Sequence, residues 1–154
     1  VNNNAWAYKY LFSQGRVYGV ECAVALQPGA APGMEFTILI EGPNKVSGNR
    51  SQAILKLTSS NPGGNLYLGA TLIANVTPYM PGGYFHYLKF VYDPYENKAK
   101  RVIFNDLTFD LGDAPGTTYA NTAKHLQFQF NAKTLTANSS IAIIDNVVIT
   151  ADEP

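Results

Sequence analysis

Apolar and polar residues alternate along most of this chain, a pattern typical of β-strands, in which successive side chains point to opposite faces of a sheet. The alternation predicts about ten strands, separated by turn signals that are rich in Pro and Gly. These strands span residues 5–12, 16–26, 35–41, 52–59, 66–74, 84–92, 100–105, 107–111, 124–132 and 141–150. No helix longer than a turn or two is expected. The pattern therefore predicts an all-β fold, a two-sheet antiparallel jelly-roll sandwich. Residues 1–154 are expected to form a single domain, with 151–154 as a tail or the start of a linker.

Residues 83–105 form the most regular stretch and predict two strands joined by a polar turn. Pro94 presets φ, and Asp93 and Asn97 can hydrogen-bond their own backbone, so these residues are interpreted as turn formers. One phase of this hairpin and of strand 124–132 is apolar and is expected in the core: Leu88, Phe90, Val102, Phe104, Leu126, Phe128 and Phe130. His86 shares that phase, which favours a buried, hydrogen-bonded histidine over a catalytic base.

The composition restricts the classes of ligand that the chain is expected to bind. Only 14% of the 154 residues are charged and the net charge is zero, so the polar surface consists mostly of amides and hydroxyls, which suits neutral ligands rich in hydroxyl groups. The sequence has no basic patch, so nucleic-acid binding is not expected. No apolar run reaches the length of a membrane span, so a membrane-spanning segment is not expected either. The single cysteine, Cys22, lies in an apolar phase and is expected to be buried. Three glycosylation sequons begin at Asn49, Asn75 and Asn138, but three is too few to predict glycosylation.

Two stretches resemble the concanavalin A-like (laminin G-like) jelly-roll superfamily of lectins, glucanases and carbohydrate-binding modules. Residues 84–90 and 101–105 look like its aromatic-His strand and return strand, and residues 144–149 are similar to its closing Ile-Asp-Asn/Asp-Val strand. The matches cover about a quarter of the chain, and Phe85 stands where the family usually has Trp. The resemblance implies a sandwich with one curved sheet, whose concave face often holds a glycan.

A candidate ligand surface follows from the polar phases of the same strands. If those strands belong to one sheet, one outer face combines an aromatic ring, two cations and three amides: Tyr87, Lys89, Arg101, Gln127, Gln129 and Asn131. Aromatic faces stack on sugar C–H groups, and amides and guanidinium bond hydroxyls. The alternative is the ordinary polar face that an antiparallel sheet shows to water.

The first strand places four aromatic residues on one face: Trp6, Tyr8, Tyr10 and Phe12. Large aromatics in one phase favour the core, and this is expected for Tyr10 and Phe12. Trp6 is expected to be exposed and is added to the ligand-binding residues.

Catalysis is less favoured than binding. The resemblance implies that glycosidases of this fold carry a Glu-x-Asp-x-x-Glu pattern, which is absent here. Lyases of the fold use Tyr or His with Arg and Gln, a set that His125, Gln127, Tyr87, Lys89 and Arg101 could mimic.

Asp145 lies between apolar strand residues, where an unpaired carboxylate is costly. The resemblance implies that the Asp of this closing motif can bind a structural calcium ion, which takes six to eight oxygen ligands, with Glu21 as a possible helper. A hydrogen-bonded edge or turn aspartate is the other interpretation, and the sequence leaves both open.

Taken together, the sequence predicts a non-catalytic carbohydrate-binding module that recognises a polysaccharide or oligosaccharide on the concave sheet face. It is expected to belong to a larger multidomain protein that is secreted or lies at the cell surface. The alternatives are a polysaccharide lyase or glycoside hydrolase of the same fold, and an adhesion or structural domain that binds a protein partner.

Overall fold

The computed structural model describes residues 4–11, 16–27, 33–59, 64–77, 84–134 and 141–154, without the side chains of Asn4, Trp6 and Gln27. These residues form β1 (Asn4–Leu11), β2 (Tyr18–Gln27), β3 (Met34–Pro43), β4 (Asn49–Ser59), β5 (Gly64–Leu68), β6 (Thr71–Asn75), β7 (His86–Asp93), β8 (Lys98–Phe104), β9 (Leu107–Pro115), β10 (Thr117–Ala120), β11 (Leu126–Thr134) and β12 (Ile141–Ala151). No helix among them is long and apolar enough to cross a membrane.

The strands form two antiparallel sheets that pack face to face. One has seven strands in the order β1-β11-β3-β4-β5-β6, with β10 paired to β4 beside that path. The other has five strands in the order β12-β2-β7-β8-β9. The predicted two-sheet sandwich is therefore confirmed.

The core lies between the sheets and is built from the phases that alternation assigned to it. Every residue of the predicted apolar set on the hairpin and on β11 is buried, from Leu88 to Phe130. His86 and Cys22 are buried with them, as expected. His86 stacks on Phe104, with ring centroids 5.5 Å apart. Burying one large apolar side chain such as Phe90 stabilises a fold by about 1.5–3 kcal/mol, so this set dominates the packing energy.

The turn between β7 and β8 is formed by the residues predicted for it. Asp93 Oδ1 accepts a hydrogen bond from the backbone N–H of Glu96 (2.9 Å). Asn97 adopts a positive φ of 59°, which asparagine tolerates better than most residues. Its Oδ1 accepts hydrogen bonds from the Tyr92 hydroxyl (2.6 Å) and from the backbone N–H of Gly116 (3.0 Å). The turn is therefore tied to the start of β10.

Two strand predictions were wrong in their boundaries. The predicted strand 66–74 is broken by a turn at Gly69 and Ala70, where Gly69 has a φ of 58° and β5 reverses into β6. Residues 113–123, to which the alternation assigned no strand, contain the end of β9 and all of β10. β10 has only four residues, too few to show an alternation of apolar and polar positions, which explains why it was not predicted.

Candidate functional site

The six residues predicted to share one sheet face lie on the two opposite outer faces of the sandwich. Each side chain points away from the core as expected, but β7 and β8 belong to the five-stranded sheet and β11 to the seven-stranded sheet. The predicted single site is therefore wrong. It separates into two sets: Tyr87, Lys89 and Arg101 on one face, and Gln127, Gln129 and Asn131 on the other. Alternation assigns a residue to a face of its own sheet, and it does not say which sheet a strand joins.

On the five-stranded sheet, the predicted cations are bound by carboxylates of the chain itself. Lys89 Nζ lies 2.7 Å from Glu21 Oε1 and 2.9 Å from Glu153 Oε1. Arg101 Nη2 lies 2.9 Å from Glu153 Oε2, and Arg101 Nη1 donates to the carbonyl of Pro154. We call Glu21, Lys89, Arg101 and Glu153 the carboxylate–cation network. Its charges cancel, so it leaves no free cation for a ligand.

The pKa values agree with a closed network. Burial disfavours the ionised form of Glu153, but hydrogen bonds from Lys89 and Thr150 outweigh it and hold the pKa of Glu153 below its usual value. The hydrogen bond from Lys89 likewise lowers the pKa of Glu21. Burial and a hydrogen bond to Glu21 raise the pKa of Tyr87 to about 12. We interpret Tyr87, Lys89 and Arg101 as structural support rather than as a sugar site.

Residues 151–154, predicted as a tail or linker, contact the five-stranded sheet. Asp152 takes a positive φ of 55°, and the backbone N–H of Glu153 donates to the carbonyl of Val17 (3.3 Å). Gly19 leaves the room that this arrangement needs, because a Cβ there would lie 2.9 Å from Glu153 Oε1. The carboxylate of Glu153 is thereby placed between Lys89 and Arg101.

The two residues predicted as calcium ligands do not fit a calcium site as they stand. Glu21 is bonded to Lys89, so a divalent cation would have to displace an ammonium group. Asp145 is exposed at a bulge in β12, and its Oδ1 accepts a hydrogen bond from the backbone N–H of Asn146 (2.7 Å). Within the described ranges, no group of three or more His, Cys, Asp or Glu could hold a metal ion. The geometry favours the turn aspartate, and structural calcium stays a prediction.

A row of tyrosines and amides covers the outer face of the seven-stranded sheet where β1 pairs with β11. Tyr8 lies opposite Gln129 and Tyr10 lies opposite Gln127, and directly opposite residues share a face. Both tyrosines are half exposed, at 50% and 47%. Their ring centroids are 5.1 Å apart. Together with Asn131, these residues form what we call the tyrosine–amide surface.

The prediction that Tyr10 is buried was wrong. β1 is an edge strand whose other phase, which includes Leu11, faces the core side of the sheet. Aromatic alternation shows that residues share a face, but it does not decide which face is buried. Trp6 lies opposite Asn131 in the register, in phase with the two tyrosines. Phe12 lies outside the described residues.

The amides of this surface retain unused hydrogen-bonding groups. Gln127 Nε2 donates to Gln129 Oε1 at 3.4 Å, a long hydrogen bond. Asn131 Oδ1 is buried and has no hydrogen-bond partner in the described part of the chain. An unpaired buried acceptor costs about 1–3 kcal/mol, so a donor from water or a ligand would stabilise it.

His125 lies beside this surface, immediately before β11. Its ring meets Tyr10 edge-on, with centroids 4.6 Å apart and planes at 76°. The fully buried Arg50 supports this segment, since its Nη1 donates to the carbonyls of Ala123 (2.8 Å) and His125 (2.7 Å).

An ion pair holds Arg50 in place. Its Nε donates to Glu41, which is also buried. Tyr119 of β10 bonds to the same pair, and burial raises the pKa of its hydroxyl. This cluster was not predicted, because Arg50 lies between the predicted strands 35–41 and 52–59, where the pattern assigns no element. One signal was available: Glu41 ends a strand with apolar residues in both phases, where a carboxylate requires a partner.

Comparisons with known proteins find structural neighbours, whereas no protein-family model and no curated protein matches the chain. An alginate lyase, AlgAT5 from polysaccharide lyase family 7, superposes with a TM-score of 0.53 at 11% identity over 96% of this chain and 63% of the lyase. The carbohydrate-binding module CBM66 from Bacillus subtilis gives 0.47 at 15% identity, over 97% of this chain and 92% of the module. Sheep galectin-11, in complex with glycerol, gives 0.45 at 12% identity, over 94% and 96%.

The chain thus spans 63% of the length of the lyase. At 11% identity the likeness to the lyase concerns the fold, and it agrees with the resemblance seen in residues 84–90, 101–105 and 144–149. The chain has the concanavalin A-like jelly-roll fold.

Proposed function

We propose that the tyrosine–amide surface binds a polysaccharide without cleaving it, so that the chain acts as a carbohydrate-binding module. The observation that carries the proposal is the register of β1 on β11, which sets half-exposed tyrosine rings opposite side-chain amides at consecutive outward positions. Tyrosine faces can stack on the C–H patches of a sugar ring, while amides donate to and accept from its hydroxyls. The single long hydrogen bond between Gln127 and Gln129 supports the same proposal, because it leaves other donors and acceptors of these two amides for sugar hydroxyls.

Two ion pairs beside this surface are neutral overall. Glu41 and Arg50 neutralise each other, and Lys56 Nζ lies 3.8 Å from Glu35 on the neighbouring strand. An acidic polysaccharide would gain most from unpaired cations, which these pairs do not offer. Neutral hydroxyl groups bond to amides without that requirement.

The test is calorimetric titration of the chain with neutral and uronate oligosaccharides. We expect Tyr10→Ala and Gln129→Ala each to weaken binding about tenfold, which corresponds to about 1.4 kcal/mol. Tyr84→Ala is the matched control, since Tyr84 is an exposed tyrosine that precedes β7 of the other sheet. Absence of binding by the wild-type chain, or an equal loss in Tyr84→Ala, would overturn the proposal.

A polysaccharide lyase is the second candidate, and the edge-on contact of His125 with Tyr10 is the observation that favours it. The alginate lyase with a TM-score of 0.53 shares the fold. A lyase needs a base and a group that stabilises the developing charge. Arg50 is bonded to Glu41 and to backbone carbonyls, so it serves here as support for the segment.

We therefore expect no unsaturated product and no new reducing ends after long incubation with alginate, glucan or pectin. Ultraviolet absorbance of the new double bond and a reducing-end assay measure the two products. Product formation that His125→Ala abolishes would replace the binding proposal with the lyase.

A further inference from the structure

A pocket lies on the edge of β4, three strands away from the tyrosines. β10 pairs with residues 49–52 of this edge and β5 pairs with residues 55–59, so residues 53–54 lack a strand partner there. The backbone N–H of Gly69, in the β5–β6 turn, bridges to the carbonyl of Ile54 (2.8 Å). The gap that remains holds a pocket of about 360 Å³, walled by the β5–β6 turn, the β9–β10 crossover and β4.

The pocket wall combines apolar and uncharged polar groups. Ile54 and Leu68 provide apolar surface, and Gln52, Thr71 and Thr117 provide an amide and two hydroxyls. In the part of the chain that the structure describes, the side chains of these three polar residues make no hydrogen bond. A sugar ring presents both C–H surface and hydroxyls, and small-ligand pockets bind by this mixture of contacts.

The pocket is connected to the tyrosine–amide surface by one row of side chains. In the registers of four strand pairs, Tyr10 lies opposite Gln127, Gln127 opposite Glu41, Glu41 opposite Gln52, and Gln52 opposite Thr117. Directly opposite residues share a face, so the row crosses five strands on the outer side of the sheet. Neighbouring strands lie about 4.8 Å apart, which places Gln52 about 14 Å from Tyr10. Glu41, in the middle of this row, is buried and bonded to Arg50, so a glycan that reaches both ends must pass over this ion pair.

We propose that this pocket is a second subsite of the same glycan site and binds one neutral sugar residue, while Tyr10 holds another residue of the same chain. The inference rests on the proposed binding function. It adds a direction, since the glycan runs across the strands from β1 to β10. The second subsite also sets a minimum length for the glycan, because a disaccharide held at Tyr10 is too short to reach the pocket.

The experiment measures affinity against oligosaccharide length. Cello-, xylo- and manno-oligosaccharides from disaccharides to hexasaccharides are titrated into the wild-type chain. We expect the affinity for the preferred series to rise with length and then level off once the chain fills the pocket. Thr71→Trp places a large side chain in the pocket, and Gln52→Ala removes an amide from its wall. Each variant should bind the long oligosaccharides about tenfold more weakly than the wild-type chain does. Binding of the short oligosaccharides should be unchanged.

Thr108→Trp is the matched control, because Thr108 is an exposed threonine on β9 of the other sheet. Thermal unfolding of each variant verifies the fold, and Gln52→Ala decides the outcome if Thr71→Trp does not fold. Loss of binding in Tyr10→Ala combined with unchanged long-chain affinity in Gln52→Ala overturns the subsite alone. If the wild-type chain binds no glycan, or Tyr10→Ala has no effect, the proposed function fails and the subsite fails with it.

Discussion

Glu153 is expected to contribute strongly to stability, although it lies beyond the last strand. Its side chain is only 8% exposed. It accepts hydrogen bonds from Lys89 (2.9 Å), from Arg101 (2.9 Å) and from the Thr150 hydroxyl. Replacing Glu153 with alanine removes all three and leaves Lys89 with Glu21 as its remaining partner. We expect the variant to be less stable than the wild-type chain.

The size of the effect follows from the burial of the partners. Removing one member of a fully buried ion pair costs about 3–5 kcal/mol. Arg101 is 27% exposed and can recover water contacts, which reduces the cost. We therefore expect a loss of about 2–3 kcal/mol for Glu153→Ala. For a chain of this length, each kcal/mol lowers the midpoint of thermal unfolding by about 2–4 °C. The midpoint should fall by about 4–12 °C.

Urea denaturation at neutral pH measures this difference, with Glu96→Ala as the control. Glu96 forms an ion pair with Lys45 at 2.8 Å, but the side chains are 31% and 53% exposed, far more than that of Glu153. Exposed pairs contribute little, so the control should be nearly as stable as the wild-type chain. Equal stability of Glu153→Ala and Glu96→Ala would refute the reasoning.

The pH dependence provides a second readout of the same network. The pKa of Glu153 is lowered from 4.5 in the folded chain, so its contribution is complete above pH 4.5 and is lost as the pH falls through the folded value. The gap between the thermal midpoints of the wild-type chain and of Glu153→Gln should therefore be constant well above pH 4.5 and should narrow as the pH falls below 4.5. A gap that stays constant below pH 4.5 would contradict the assignment.

Three further predictions follow from other sites. Arg50→Ala should destabilise the fold by about 3–5 kcal/mol in urea denaturation, because it leaves the buried Glu41 without its cation. A loss below about 1 kcal/mol would show that the pair is not needed for stability. Burial raises the pKa of the Cys22 thiol to about 12, so a thiol-specific reagent at pH 8 should label it only after unfolding, and rapid labelling of the native chain would oppose this. Calcium and a chelator should give the same thermal midpoint, since Glu21 is bonded to Lys89; a calcium-dependent rise that Asp145→Ala removes would instead support the calcium site.

The core could be predicted from the sequence because its signal is local. Phe128 and Phe130 alternate with glutamines along one strand, and both are buried as expected. His86 was assigned to the core from its phase alone. Sheet membership carries no such local signal: β7 and β11 have similar alternation, yet they lie in different sheets. The prediction of a single site was wrong because it assumed that these strands belong to one sheet.

The ion pairs could not be predicted for a related reason. Lys89 and Glu153 are separated by 64 residues, and Arg101 and Glu153 by 52. No local pattern in the sequence links these charges to one another. Their pairing depends on how the strands are ordered within the five-stranded sheet, which alternation does not specify.

The two outer faces differ in the state of their polar groups, and this difference supports the choice of binding surface. On the five-stranded sheet, Lys89 and Arg101 are bonded to carboxylates of the chain, so a ligand would have to displace a strong intramolecular contact. On the seven-stranded sheet, Gln127 and Gln129 share only one long hydrogen bond (3.4 Å), so a sugar hydroxyl can bond to these amides without displacing a strong protein contact. Binding energy is retained best where the free protein has not already used its donors and acceptors. For this reason, a low content of charged residues is compatible with recognition of a neutral glycan: the charges of both sheets are paired within the chain, while the amides of Gln52, Gln127 and Gln129 lie on the outer side of the seven-stranded sheet.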